Sequence, residues 1–262
     1  MSEPTFRFDD GAGYEQFMGK WSRMVGAQFI DWLAPQSGLR WLDVGCGNGA
    51  FTDMIFERCA PASVHGIDPS EEQLAFARTR PASLSAQFRQ ADAMALPFAD
   101  NAFDAAVMPL VIFFVPEPAV GVAEMARVVR PGGSISAYAW DMLDAGFPYE
   151  DWLGEMKTMG IAVPMPPSVE ASRLDALRDL WAGAGLVAIE TRAITVQRTF
   201  ADFDDYWATL MKGPNVGPRL ATMTPTDIEH LEKRLRARLT PDATGRITLN
   251  ARANAVSGRV PA

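Results

Sequence analysis

Residues 41–52, WLDVGCGNGAFT, constrain this chain more than any other stretch. The apolar run from Trp41 to Val44 reads as a short buried strand, glycines at 45, 47 and 49 make a turn, and a helix start follows. Glycine at such a turn lets backbone approach a ligand where a Cβ would collide. Asp43 stands at the end of the strand, ahead of the glycines. A carboxylate there suits a ligand with a cationic group better than a bare pyrophosphate. Taken alone, Gly-x-Gly-x-Gly spacing also fits an ordinary tight strand-to-helix turn.

What surrounds the turn gives it a setting. Residues 14–33 carry Phe17, Trp21, Met24, Val25, Phe29, Trp32 and Leu33 at helical spacing, and Pro35 with Gly38 ends the run. Strands are expected at 41–45, 63–68, 85–90, 103–109 and 133–140, with helices at 49–59, 70–79 and 118–130 between them. That alternation predicts βαβ units and a parallel sheet with right-handed crossovers. The last of these helices should halt before Pro131-Gly132-Gly133, which also starts the next strand. Residues 142–170 are rich in Met, Pro and aromatics and show no clear period. A helix at 172–184 follows, with Leu174, Leu177 and Trp181 on one face and Gly185 as its stop. Strand-like runs at 186–197 and 246–256 flank a mostly helical insert. In that insert Thr224, Pro225 and Asp227 form a cap signal, ahead of the stripe Ile228, Leu231 and Leu235.

Composition narrows the function classes. The 262 residues are 48% hydrophobic, enough for one substantial core, so one elaborated domain is expected. A net charge of −8 without a Lys/Arg cluster leaves no footprint for DNA, tRNA or an anionic membrane. The polar, acidic start MSEPTFRFDDGAG lacks the order of a signal peptide, and no apolar run approaches the length of a membrane span. Cys46 and Cys59 are too few for a disulfide framework, so a cytoplasmic protein is expected.

Further acids follow in sequence order. Asp68 ends the second strand in HGIDPSEEQL, 23 residues after Gly45, where it can accept two hydrogen bonds from a ribose diol. Ligands of parallel open sheets lie beyond the carboxyl ends of the strands. Asp92 follows the third strand in QADAMALPF and can take an adenine amino hydrogen. The amide of Ala93 and the side chain of Met94 can complete an adenine slot.

In these motifs the chain resembles a class I S-adenosylmethionine-dependent methyltransferase, within the broad group that includes the ubiquinone and menaquinone biosynthesis C-methyltransferases. DVGCGNG, GIDPS, ADAMALPFADNAFDAAV and RVVRPGG all fall in family order across 41–140. YEQFMGKWSR is similar to the leading helix of one bacterial subgroup, and beyond residue 141 only the fold pattern carries over. The resemblance implies an α/β, Rossmann-like, doubly wound, mostly parallel seven-stranded sheet whose last strand is antiparallel. A single methyltransferase domain over 1–262 is expected, with a helical lid at 1–35 and a cofactor-binding core at 36–141. The Met, Pro and Trp content of 142–170 suits either ordinary packing or a cap over an apolar pocket, and substrate-cap insertions are expected at 142–170 and 200–242. S-adenosylmethionine contacts are implied for Asp43, Gly45, Cys46, Gly47, Asn48, Asp68, Pro69, Asp92, Ala93, Met94, Pro109 and Trp21. Asn48 departs from the commoner Thr. Tyr14 is the best candidate near the transferred methyl. No metal is implied.

The loop after the fourth strand, MPLVIFFVPEP (108–118), should face the methyl group, and it is almost wholly apolar. It lacks the Asn/Asp-Pro-Pro-Tyr pattern of amino-methylating nucleic-acid enzymes. Neither cysteine follows a proline as a cytosine C5 enzyme requires, and no Asp/Asn cluster serves a catechol-type metal. A small, largely apolar acceptor remains, with chemistry resting on proximity. The chain is expected to work as a monomer or homodimer. Two rivals stand beside this reading: a non-catalytic S-adenosylmethionine-binding protein, and an NAD-dependent oxidoreductase, which would prefer a glycine where Ala50 stands. Duller roles compete for several residues. Cys46 suits a turn filler, His65 a structural histidine, His230 a solvated face, and Trp21 the packing of its own helix.

Overall fold

A computed structural model describes residues 15–80, 82–213 and 216–262. Seven strands build one sheet in the order β3-β2-β1-β4-β5-β7-β6. They are β1 (Arg40–Val44), β2 (Ser63–Asp68), β3 (Gln87–Gln90), β4 (Phe103–Pro109), β5 (Val129–Trp140), β6 (Val187–Phe200) and β7 (Ile247–Arg259). β1 to β5 pair in parallel, while β7 runs antiparallel between β5 and β6. The last strand is therefore the antiparallel one, as the resemblance implies. It arrives from the helical insert and zips between two strands that already run the same way. Strand order reverses beside β1 and β4, and this switch point opens a crevice at their carboxyl ends.

The helices are α1 (Lys20–Leu33), α2 (Ala50–Cys59), α3 (Glu71–Ala77), α4 (Pro118–Val128), α5 (Glu150–Thr158), α6 (Leu174–Gly183), α7 (Phe203–Leu210), α8 (Val216–Leu220) and α9 (Pro225–Arg238). α1 packs with α2, and α4 with α6, so helices cover both faces of the sheet. α1 buries Trp21, Val25 and Phe29 of the stripe read from its sequence, and Ile30 beside them, while Met24, Trp32 and Leu33 of that stripe are only partly buried. α6 is pinned by Trp181, whose indole N–H donates to the Ile135 carbonyl at 2.9 Å. The Thr224 hydroxyl accepts from the Asp227 amide and Pro225 opens α9, as the cap signal predicts.

Four expectations need correction. The leading helix begins with a π-helical turn, Glu15–Gly19, before α1. α4 stops at Val128, and β5 begins at Val129 rather than 133. Pro131-Gly132-Gly133 makes an irregularity inside β5 instead of its start, since pairing jumps from Phe103↔Val129 to Ala105↔Ser134. The aperiodic stretch 142–170 contains α5, whose inward face mixes Trp152 and Met156 with the charged Glu155 and so hides its stripe.

The two insertions meet in space. Glu155 of α5 accepts from Arg234 of α9 at 2.6 Å, and Arg238 of α9 pairs with Asp151. Ser168 donates its hydroxyl to the Val115 carbonyl at 2.8 Å, which ties the first insertion to the apolar loop after β4.

Candidate active site

The glycine turn is built by a few directed bonds. The amides of Gly45 and Cys46 both donate to the Ile67 carbonyl at 2.8 Å, so the turn after β1 hangs on the end of β2. Gly45 has φ +72, and a Cβ there would lie 2.5 Å from Val111 of the β4 loop. Only glycine fits between the two loops. The Gly47 amide donates to Asp68 Oδ2 and the Ser70 amide to Oδ1, each at 2.9 Å, which fixes the second-strand acid beside the turn.

Asp43 is fully buried at the end of β1. Its Oδ2 accepts from the Thr52 hydroxyl at 2.7 Å, while Oδ1 has no partner among the described residues. Burial pushes its pKa up to about 7, against the Thr52 bond and with help from the Asp68 charge. Asp68 is also raised by burial, in spite of its two amide donors. Neither carboxylate has an ion-pair partner among the described residues. A cation placed here would satisfy the orphaned Oδ1 and stabilise both ionised acids.

The other predicted residues divide between the crevice and the core. Asn48 donates to Glu15 at 3.2 Å and accepts from the Ala50 amide, closing the start of α2. The exposed Pro69 follows Asp68, and its carbonyl accepts from Gln90. Asp92 is exposed, with Oδ1 bonded to the Met94 amide at 2.8 Å, and Ala93 and Met94 are half-buried beside it. Pro109 ends β4 opposite Tyr138. Leu110, next in the chain, holds φ +61, a costly conformation for leucine at the mouth of the crevice. Trp21 is fully buried with its ring edge on Tyr149, 6.5 Å between centroids. Tyr14 lies outside the described residues.

The duller readings also find their places. The Cys46 sulfur packs under Gly66, where a Cβ would sit 2.9 Å from it, and burial pushes its thiol pKa up. His65 meets the edges of Phe98 and Phe103 at 5.6 and 5.3 Å, and burial lowers its pKa, as for a structural histidine. His230 is exposed on α9. No group of three metal-ligating side chains occurs among the described residues.

Sequence reasoning missed two sets of supporting residues. Arg80 donates to the Asn48 carbonyl at 2.6 Å and pairs with Asp53 and Glu15, clamping the glycine turn to α2 and the π-turn. Those partners lie up to 65 positions away, and no local pattern announces them. Glu124 accepts from the Leu96 amide, and Arg127 donates to the Leu96 and Phe98 carbonyls, fixing the loop that carries Asp92. Here a signal existed: an acid and an arginine three apart on one helix, inside EMARVVRPGG.

Comparison with known proteins agrees with this architecture. The family described as a methyltransferase domain matches residues 42–137. An uncharacterized protein of Mycobacterium tuberculosis is 32% identical over 134 residues, 51% of this chain and 46% of that one. The ubiquinone/menaquinone biosynthesis C-methyltransferase of Roseobacter denitrificans is 36% identical over 126 residues, 46% of this chain and 50% of that one. The chain thus spans about half the length of the curated relatives it matches. Among solved structures, phosphoethanolamine N-methyltransferase 2 of Haemonchus contortus, in complex with S-adenosylhomocysteine, superposes with a TM-score of 0.59 at 17% identity. That match covers 97% of this chain and 58% of that one. The YcgJ protein of Bacillus subtilis gives 0.58 at 16%, over 92% and 99%. Residues 42–137 thus match a methyltransferase domain, and the surrounding fold is the one shared with these solved structures.

Proposed function

We propose that this chain transfers a methyl group from S-adenosylmethionine to a small, largely apolar acceptor. The observation that carries the reading is the pair Asp43 and Asp68, two cation-less acids with raised pKa values beside a glycine turn, in the matched domain. Bound S-adenosylmethionine supplies a methyl group activated on a sulfonium. Asp43 Oδ1 is assigned to its cationic amino-acid end with Gly45, Cys46, Gly47 and Asn48. Asp68 and Pro69 take the ribose, and Asp92, Ala93 and Met94 the adenine.

The chain's part in the reaction is to bind, orient and dry the crevice. Pro109 and the apolar loop behind it form the acceptor side, Trp21 supports the lid at 1–35, and the insertions at 142–170 and 200–242 form a cap. Holding the acceptor in line with the methyl supplies up to about 7–11 kcal/mol of the barrier. The quinone-biosynthesis names of several relatives support an apolar ring as the acceptor's body.

Titration with S-adenosylhomocysteine tests the site. Asp68→Ala should weaken binding by about 1.5–3 kcal/mol, the range for hydrogen bonds to a charged group; an unchanged dissociation constant removes the assignment. Tyr14 is assigned near the transferred methyl, and Tyr14→Phe should lower turnover while leaving cofactor affinity alone. Equal turnover returns Tyr14 to packing.

A further inference from the structure

Near its carboxyl end, β6 turns every second residue inward: Ile194, Val196, Arg198 and Phe200. Three of these are apolar, as a core face requires, and the fourth is a guanidinium in a residue only 8% exposed. Arginine stays charged at any physiological pH, and a buried charge is costly without a counter-ion. None of the described carboxylates pairs with it. Arg198 Nη1 donates to the Phe17 carbonyl at 3.2 Å and to Tyr149 Oη at 3.4 Å, and its guanidinium lies 4.4 Å from the Phe200 ring centroid. The Nε–Nη2 edge makes no hydrogen bond to the described residues.

One further donor beside the same ring is also unsatisfied. Tyr206 Oη belongs to a fully buried residue and has no partner among the described residues, while the Trp21 indole N–H is directed at the Tyr149 hydroxyl. Their rings stand 6.1 and 6.5 Å from the Tyr149 ring. A buried hydroxyl without an acceptor thus stands beside a guanidinium whose Nε–Nη2 edge has no carboxylate partner among the described residues. The position is on the right edge of the sheet. β6 runs parallel to β5, because both pair antiparallel with β7, so Arg198 lies at the same end of the sheet as the cofactor crevice, three strands from β4. Phe17, which caps Arg198, sits two residues from Glu15, which touches Asn48 of the glycine turn.

We infer that Arg198, with Tyr206, anchors a carboxylate at one end of the methyl acceptor, while the apolar β4 loop receives its body. This rests on the methyltransferase reading above. The Nε–Nη2 edge is the fork that takes a carboxylate through two parallel hydrogen bonds. A single negative charge balances the one cation, whereas a phosphate dianion would leave a second buried charge uncompensated.

Calorimetry on the S-adenosylhomocysteine-loaded protein tests the anchor with matched probes: benzoate against benzamide, cinnamate against cinnamamide, and octanoate against octanamide. At least one acid should bind about tenfold or more tightly than its amide, the range for charge-assisted hydrogen bonds. Arg198→Met should erase that preference without changing affinity for S-adenosylhomocysteine, a split that a merely structural arginine would not produce. Tyr206→Phe, which removes one orphaned hydroxyl and no volume, should reduce acid binding about threefold, and it serves if Arg198→Met does not fold. Equal binding of acids and amides by the unmodified protein, or no binding of any acid, overturns the anchor, as does a preference that survives Arg198→Met. Failure of the unmodified protein to bind S-adenosylhomocysteine overturns the methyltransferase reading itself.

Discussion

Asp43 shows how one buried side chain can couple stability to ligand binding. Its carboxyl titrates near 4 in an unfolded chain and about 7 in the folded one, because burial disfavours the charge. Between those values the folded state holds a proton that the unfolded state has released. Stability contributed by this group therefore falls as pH rises through that window and levels off above about 7. Asp43→Asn keeps the shape and the Thr52 bond while removing the charge. The ligand-free variant should melt higher than the parent at pH 8, with a flatter dependence between pH 5 and 7. Its affinity for S-adenosylhomocysteine should drop by about 1.5–3 kcal/mol. In the parent, that affinity should rise from pH 6 to 8 as Asp43 ionises. An affinity flat with pH and equal in the two proteins would show that Asp43 does not meet the ligand's cation.

Between elements, the turn after β1 and the loop after β4 are fitted to each other at Gly45 and Val111. Gly45→Ala adds two separate costs. One is the left-handed backbone, about 1–2 kcal/mol for a residue with a Cβ. The other is the contact of that Cβ with Val111, 2.5 Å away. The substitution should lower the urea midpoint of the ligand-free protein, and Gly45→Ala/Val111→Ala should recover the steric part only. Full recovery would mean that the backbone conformation carries no cost. The same fit explains why the apolar β4 loop, set by Ser168 on one side and the glycine turn on the other, is positioned at the cofactor crevice.

Across the whole molecule, the contact between α5 and α9 joins insertions that are far apart in sequence. Glu155 is almost buried and pairs with the half-exposed Arg234 and Arg238. Solvent screens the arginines, so the pair contributes only about 1–2 kcal/mol, between surface and buried salt bridges. Glu155→Gln should therefore accelerate amide exchange in 150–158 and 225–238 and leave the strands protected. Faster exchange throughout the sheet would instead make this contact part of the global fold.

Much of the fold was legible in local pattern. Strands β1 to β4 and the helices after them follow from apolar runs and from glycine and proline near their ends, whereas β5 was legible only from residue 133 onward, since its Pro-Gly-Gly lies inside the strand. Periodicity is a property of neighbouring residues, and so it survives without the partner being known. α5 escaped because a carboxylate, Glu155, occupies its inward face and is compensated only by arginines about 80 positions later. For the same reason the acids Asp43 and Asp68 were readable as candidates, whereas Arg80, which clamps the turn between them, was not.

By itself, then, the sequence determined the parallel run of the first five strands, the glycine turn, and the acids at the strand ends, because each depends on residue types within a few positions. Tertiary structure alone decided which charges are paired and which stand unpaired. In sequence Arg198 falls just beyond the strand-like run 186–197, at the start of the helical insert, whereas β6 continues to Phe200. Only the packing of α1, the π-turn and α7 around it turns that position into a buried cation. Burial and pairing depend on segments brought together by the fold, and the cost of an unpaired charge exists only once water has been excluded.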